Sequence, residues 1–172
     1  MKNTSLCYIE RAGQYLMLHR VKKAQDENQG KWIGVGGHFE EDESPEECMM
    51  REVREETGLE VTGYRYVGIV TFVSDQWEGE YMHLFHVDGF SGSIKECDEG
   101  HLEWMDKEAV SKLPMWEGDG IFLRLMEEGI PFFSLKLCYK GEHLEQAILN
   151  GKRYLSAQKK NESDKCLLKK EQ

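Results

Sequence analysis

Residues 37 to 59 read GHFEEDESPEECMMREVREETGL, a stretch with strong local signals at both ends and a dense set of carboxylates between them. Ser44 suits an N-cap, Pro45 suits the first helical position because its missing N–H costs nothing there, and Glu47 can close a capping box back onto Ser44. Gly58 supplies the matching stop. The spacing predicts a helix over about 45–57, on which Glu52, Glu55 and Glu56 fall at i, i+3 and i+4. Three carboxylates are thereby expected to converge on one face. Like charges so placed repel, and the grouping lowers stability unless a cation answers it. A hard divalent ion such as magnesium takes carboxylate and phosphate oxygens and keeps several waters, which suits a site shared between protein and a polyphosphate. For an arbitrary glutamate-rich helix, a solvated acidic face is the plainer alternative.

The glycine run ahead of the helix weighs against that alternative. Trp32-Ile-Gly-Val-Gly-Gly37 is too glycine-rich for an ordinary strand, and it lets backbone approach a ligand closely or offer a carbonyl to a metal. With U for an apolar residue, the stretch reads G-x5-E-x7-R-E-U-x-E-E-x-G-U, filled without departure by Gly37, Glu43, Arg51, Glu52, Val53, Glu55, Glu56, Gly58 and Leu59. This resembles a Nudix box, and the chain is similar to the Nudix hydrolases. The resemblance implies an α/β Nudix fold, a mixed β-sheet sandwiched between helices. It also implies a magnesium ion, or manganese, held by the Gly36 carbonyl, Glu52, Glu55 and Glu56, with Glu55 and Glu56 also among the catalytic carboxylates. Arg51 can pair with Glu55 one turn later or with Glu43, and the resemblance likewise casts Arg51 and Glu43 as supports of the carboxylates.

Length and charge bound the rest. At 172 residues and 40% hydrophobic content the chain suits one compact domain with a sizeable core, expected over residues 1–150. No stretch approaches the ~20 apolar residues of a membrane span, and the start MKNTSLCYIERAGQYLML has a charge and a Gly-Gln break where a signal peptide needs its apolar centre. These features predict a cytoplasmic protein with no membrane partner. Cysteines at 7, 48, 97, 138 and 166 are odd in number and lack any C-x2-C pair, which suits reduced thiols rather than a disulfide framework or a zinc site. The net charge of −10 argues against a polynucleotide partner, which usually meets a basic face. Residues 1–150 carry 15 basic and 29 acidic side chains, net −14, and residues 151–172 carry 7 and 3, net +4. A small nucleotide arriving with metal ions is easier to accept. The lysine-rich tail from 151 onward suits a disordered segment or a short helix.

A coarse pass places strands at 4–10, 14–20, 64–74, 80–89, 101–105 and 132–139, with turn signals at Ala12-Gly13, Asp75 to Gly79 and Gly89 to Gly92. Segment 118–128 reads as a helix with Ile121, Phe122, Leu125 and Met126 on one buried face, ended by Gly129 and Pro131.

Substrate residues come from the resemblance. Glu99, with Asp98 and Glu103 as rivals, stands where MutT-like enzymes carry a loop glutamate near the metal or the attacking water. Met115-Trp116-Glu117-Gly118-Asp119 resembles the corner where members that remove oxidised purine nucleotides stack a tryptophan on the base and read its edge with acids. Trp116 and Asp119 carry that likeness, although Gly118 replaces a first acid and Ile33 an asparagine. A core tryptophan ahead of a helix is the competing reading. Phe72 suits either the base pocket or strand core, His38 and Gly37 suit a phosphate contact or a loop start, and Arg20 at a strand end suits the phosphates or solvent. The expected reaction is hydrolysis of a nucleoside triphosphate to the monophosphate and pyrophosphate, with Glu56 or Glu99 as general base and 8-oxo-dGTP as substrate. Alternatives are ADP-ribose, a dinucleotide polyphosphate, or a non-catalytic nucleotide sensor. Nothing in the sequence bears on oligomeric state.

Overall fold

The computed structural model describes residues 1–22 and 27–154. Strand β1 (Lys2–Arg11) turns through Ala12 and Gly13 into β2 (Gln14–Arg20), and Arg11 pairs with Gln14. Both turn residues have positive φ, 48° and 77°, the backbone a two-residue hairpin requires. Short β3 (Trp32–Ile33) leads into the glycine loop and helix α1 (Pro45–Thr57). Then follow β4 (Leu59–Ser74), β5 (Glu80–Gly92), β6 (Gly100–Asp106), the single turn α2 (Lys107–Val110), α3 (Asp119–Glu127), β7 (Phe133–Lys140), β8 (His143–Leu149) and β9 (Lys152–Arg153).

The nine strands among the described residues form one mixed sheet in the order β3-β2-β1-β5-β4-β7-β8-β9, with β6 on the other edge of β2. Pairs β1–β5 and β4–β7 are parallel and the rest antiparallel. Alternation along the strands sends successive residues to opposite faces. On one face Met49 and Val53 of α1 pack with Cys7, Ile9, Leu16 and Phe85. On the other, Phe122, Leu125 and Met126 of α3 pack with Tyr8, Met17 and Leu135. The expected α/β/α sandwich is therefore present, with an apolar layer on each side of the sheet.

Differences from expectation lie where backbone contact replaces side-chain pattern. The glycines from 89 to 92 do not form a turn: β5 continues to Gly92 because β4 begins at Leu59, and Leu59 pairs with Gly92. A Cβ on Gly89 would stand 2.8 Å from the backbone nitrogen of Gly63, so glycine permits the strands to close here. Strand β8 was not expected, since only Ala147 of HLEQAIL is buried. Lys152 and Arg153 form β9 against β8, so the sheet extends past residue 150. The remainder of the expected tail, 155–172, lies outside the described residues, as does Cys166. No helix among the described residues is long and apolar enough to cross a membrane. Cys7, Cys48, Cys97 and Cys138 are all free thiols.

Candidate active site

Helix α1 starts and stops as its sequence dictates. The Ser44 hydroxyl accepts from the Glu47 N–H at 3.2 Å, the Glu47 carboxylate accepts from the Ser44 N–H at 2.8 Å, and Gly58 closes the C-terminus at φ 78°. This fixed helix presents its carboxylates toward the glycine loop, which bridges to β1 at Val35–Cys7 and His38–Thr4. Close approach depends on the absence of side chains. A Cβ on Gly36 would stand 2.0 Å from the Ser5 carbonyl oxygen, and one on Gly37 would stand 2.5 Å from Glu52 Oε1.

The three box glutamates do not meet at one point. Glu56, only 7% exposed, accepts from the Gly36 N–H at 3.0 Å. Arg51 reaches over the other two, donating to Glu52 at 2.7 Å and to Glu55 at 3.1 Å. The same guanidinium donates to Glu43 at 2.6 and 2.9 Å and to the His38 carbonyl at 2.9 Å. Glu55 faces outward, its side chain 58% exposed. Arg51 answers the mutual repulsion of Glu52 and Glu55, and among the described residues no three His, Cys, Asp or Glu side chains already stand close enough together to hold a cation. Arg51 holds the Glu43 carboxyl down to about 2.

Glu99 supplies the partner that Glu55 does not. It is hydrogen-bonded to Glu56 and ion-paired with Arg20. Burial first, and the charge of Glu99 second, push Glu56 up to about 8. Glu52 is raised too, again by burial first, against the lowering effect of Arg51. Buried carboxyl groups that oppose one another's ionisation fit a hard divalent cation, which replaces the proton they otherwise share. Glu52, Glu56 and Glu99 therefore have the chemistry of such a site beside the Gly36 backbone.

Two cavities meet above this group. Arg20, Gly36, Gly37, His38, Glu52 and Glu99 line an open cleft. Phe72, Trp116, Asp119, Leu137 and Tyr139 line the pocket next to it. Leu6, Ile33, Glu80 and Met82 belong to both walls, so the two form one trough.

The pocket is built by packing. Phe72 is both pocket wall and core, edge-on to Trp116 with centroids 5.6 Å apart. Trp116 donates from Nε1 to Asn28 at 2.9 Å and carries the Lys31 ammonium 4.4 Å over its ring. A base stacking on that face would take the place of the ammonium. Tyr139 lies against both rings and accepts from the Gly118 N–H at 2.7 Å. A Cβ on Gly118 would stand 2.4 Å from Leu137 and 2.7 Å from the Tyr139 hydroxyl, which explains why no acid occupies this position. Asp119, 6% exposed at the start of α3, is pushed up to about 8 by burial, with Lys31 opposing the shift.

Sequence reasoning passed over Glu80, Thr4 and Tyr139. A signal existed for Glu80, since Glu80, Met82 and Leu84 alternate at the start of β5 and put a carboxylate beside two apolar residues on one face.

Residues 2–126 match the NUDIX domain family. The chain belongs to the Nudix family. This Nudix chain is 34% identical over 115 residues to the CTP pyrophosphohydrolase of Escherichia coli (strain K12), covering 64% of this chain and 80% of that protein. It is 33% identical over 101 residues to the oxidized purine nucleoside triphosphate hydrolase of Danio rerio, covering 56% of this chain and 63% of that one. Its fold is similar to the crystal structure of the MutT protein from Bacillus halodurans, with TM-score 0.78 and 26% identity over 87% of this chain and 98% of that one. It is a MutT-like Nudix hydrolase.

Proposed function

We propose that this enzyme hydrolyses a nucleoside triphosphate to the monophosphate and pyrophosphate, with an oxidised purine nucleotide such as 8-oxo-dGTP as its preferred substrate. The continuity of the trough carries this reading: it joins an open cleft lined by Arg20, Glu52 and Glu99 to a pocket of Trp116, Phe72 and Asp119. A magnesium ion, or manganese, would be held by Glu52, Glu56 and Glu99 with the Gly36 carbonyl, and by Glu55 after it leaves Arg51. Such an ion supplies charge neutralisation at the phosphates and a more acidic water.

The side chains then divide the work. Arg20 and His38 line the cleft where the phosphates would lie, and Arg51 keeps Glu52 against Gly37. Glu99 lines the cleft, whereas Glu56 lies beneath it on the Gly36 N–H, which supports Glu99 over Glu56 as the group that would take a proton from the attacking water. Trp116 would stack on the base, and Asp119 would read its edge.

A second reading is supported by the CTP pyrophosphohydrolase likeness, which spans more of both chains than the purine-enzyme likeness does. Incubation with 8-oxo-dGTP, dGTP, CTP, ADP-ribose and a dinucleotide polyphosphate, with products resolved, separates the readings. Pyrophosphate released fastest from 8-oxo-dGTP is the expected result. Preference for CTP would move the substrate, AMP and ribose phosphate from ADP-ribose would replace the reaction, and tight binding without turnover would make the chain a sensor.

A further inference from the structure

The wall shared by the two cavities carries an acid that neither the box nor the base pocket accounts for. Glu80 opens β5 and is 8% exposed. Thr4 on β1 donates to its Oε2 at 3.2 Å, and the Glu27 carboxyl is hydrogen-bonded to it as well. Lys2 and Glu78 are the other charges that act on it, with opposite signs. Leu6 and Met82 flank it along the trough.

A buried carboxyl at this place costs desolvation free energy and contributes nothing to the apolar layer beneath it. It is also badly sited for phosphates, which it would repel. Its position along the trough gives it another purpose. A nucleotide with its phosphates over Glu52 and Glu99 and its base beside Trp116 and Asp119 must lay its pentose against the stretch common to both cavities. The pentose offers hydroxyl donors and no charge, and a carboxyl group has about four lone-pair positions, more than Thr4 and Glu27 occupy.

We propose that Glu80, held by Thr4, accepts a hydrogen bond from a pentose hydroxyl and makes this enzyme selective for nucleotides that carry one. The inference rests on the nucleotide reading above and names the sugar subsite within it. Glu80 is a specificity-determining residue that stays clear of the reacting phosphorus, so its loss changes substrate ratios rather than the chemical step.

The test compares a nucleoside triphosphate, its 2′-deoxy form and its 2′,3′-dideoxy form, all with one base, in the wild type and in Glu80→Met and Glu80→Gln. The wild type should favour a hydroxyl-bearing sugar over the dideoxy form by roughly 10- to 100-fold in kcat/KM, the range for one hydrogen bond to a charged group. The 2′-deoxy form identifies which hydroxyl is read. Glu80→Met should bring the ratio close to one, chiefly by lowering kcat/KM on the hydroxyl-bearing substrates, and Glu80→Gln should keep part of it through its amide oxygen. An unaltered ratio in Glu80→Met, or a wild-type ratio near one, would overturn the proposal. If the wild type turns over no triphosphate, the functional reading fails by itself. Calorimetric binding of the same three nucleotides then decides on Glu80: equal affinities in Glu80→Met support the subsite, and an unchanged ratio overturns it. Should Glu80→Met lose its cooperative thermal transition, the Glu80→Gln ratio decides instead: a partial fall supports the subsite, and an unaltered ratio overturns it.

Discussion

Glu56 lies beneath one end of the trough and Asp119 in the wall of the other, both buried and both with carboxyl groups raised to about 8, yet for different reasons. At Glu56 burial acts together with the negative charges of Glu99 and Glu52. At Asp119 burial acts against the nearby Lys31 ammonium. The first end is a charge problem that a cation solves. The second is a packing problem, in which an acid whose protonated form burial favours is set beside aromatic rings, where that form can both donate and accept. Geometry follows the same division. The box end is held by a capped helix and an arginine clamp, and the pocket end by Phe72, Tyr139 and the missing side chain of Gly118.

Replacing the acid at each end should therefore break different things. Glu56→Gln is expected to lose at least ~100-fold in turnover on every substrate while remaining folded, because it weakens the carboxylate group itself. Steady-state kinetics with circular dichroism checks this, and near-normal turnover would remove Glu56 from the site. Arg51→Met tests the clamp. It leaves Glu43 and Glu52 without their main cation, with an expected stability loss of roughly 3 kcal/mol, on the scale of breaking a partly buried charged network. Urea unfolding measures it, and added magnesium should recover part of the loss if Glu52 becomes a ligand. Equal stability of variant and wild type without metal would show that the clamp is ornamental.

Asp119→Asn should leave turnover on a poorly matched base nearly intact and alter the ratio between 8-oxo-dGTP and dGTP by about 10- to 100-fold. Its pH behaviour separates packing from charge. A carboxyl group raised in the folded state holds more protons there than in the unfolded chain, so its contribution to stability is present below the ordinary aspartate range near 4 and declines as pH rises toward about 8. Wild-type stability should carry that decline, and Asp119→Asn should lack it. Identical pH profiles would mean that Asp119 is ionised in the fold.

How much of each end was legible in the sequence follows from the range of the interactions. Ser44, Pro45, Glu47 and Gly58 act within a few residues of one another, and the helix they bound runs over Pro45–Thr57, the span their spacing predicts. The Ala12-Gly13 turn was legible for the same reason. The position of Arg51 across Glu52 and Glu55 was half legible, since its i+4 partner could be foreseen but its reach to the His38 carbonyl depends on the folded glycine loop. The pairing of Glu80 with Thr4 was not legible, because the two lie 76 residues apart and meet only through the parallel pairing of β1 and β5. Strand β8 was hidden because it pairs at the sheet margin and buries little, so no apolar alternation marks it.

The smallest effect concerns where the box helix begins. Ser44→Ala removes the hydroxyl that caps the Glu47 N–H, and an N-cap of this kind contributes about 1 kcal/mol. Because α1 is also held by Met49 and Val53 in the layer beneath it, the helix should not unravel. Only its first turn should loosen, and Glu43 lies just ahead of that turn. The Arg51–Glu43 pair is then the first link to weaken, while Glu56, three turns further on and fixed to the Gly36 N–H, keeps its place. The expected outcome is a fall of about 1 kcal/mol in unfolding free energy with kcat nearly unchanged. Hydrogen exchange should quicken at Glu47 and Cys48 but not at Glu56. A large loss of turnover in Ser44→Ala would mean that the cap and the carboxylates form one cooperative unit, and the division between the two ends of the trough would have to be redrawn around the helix start.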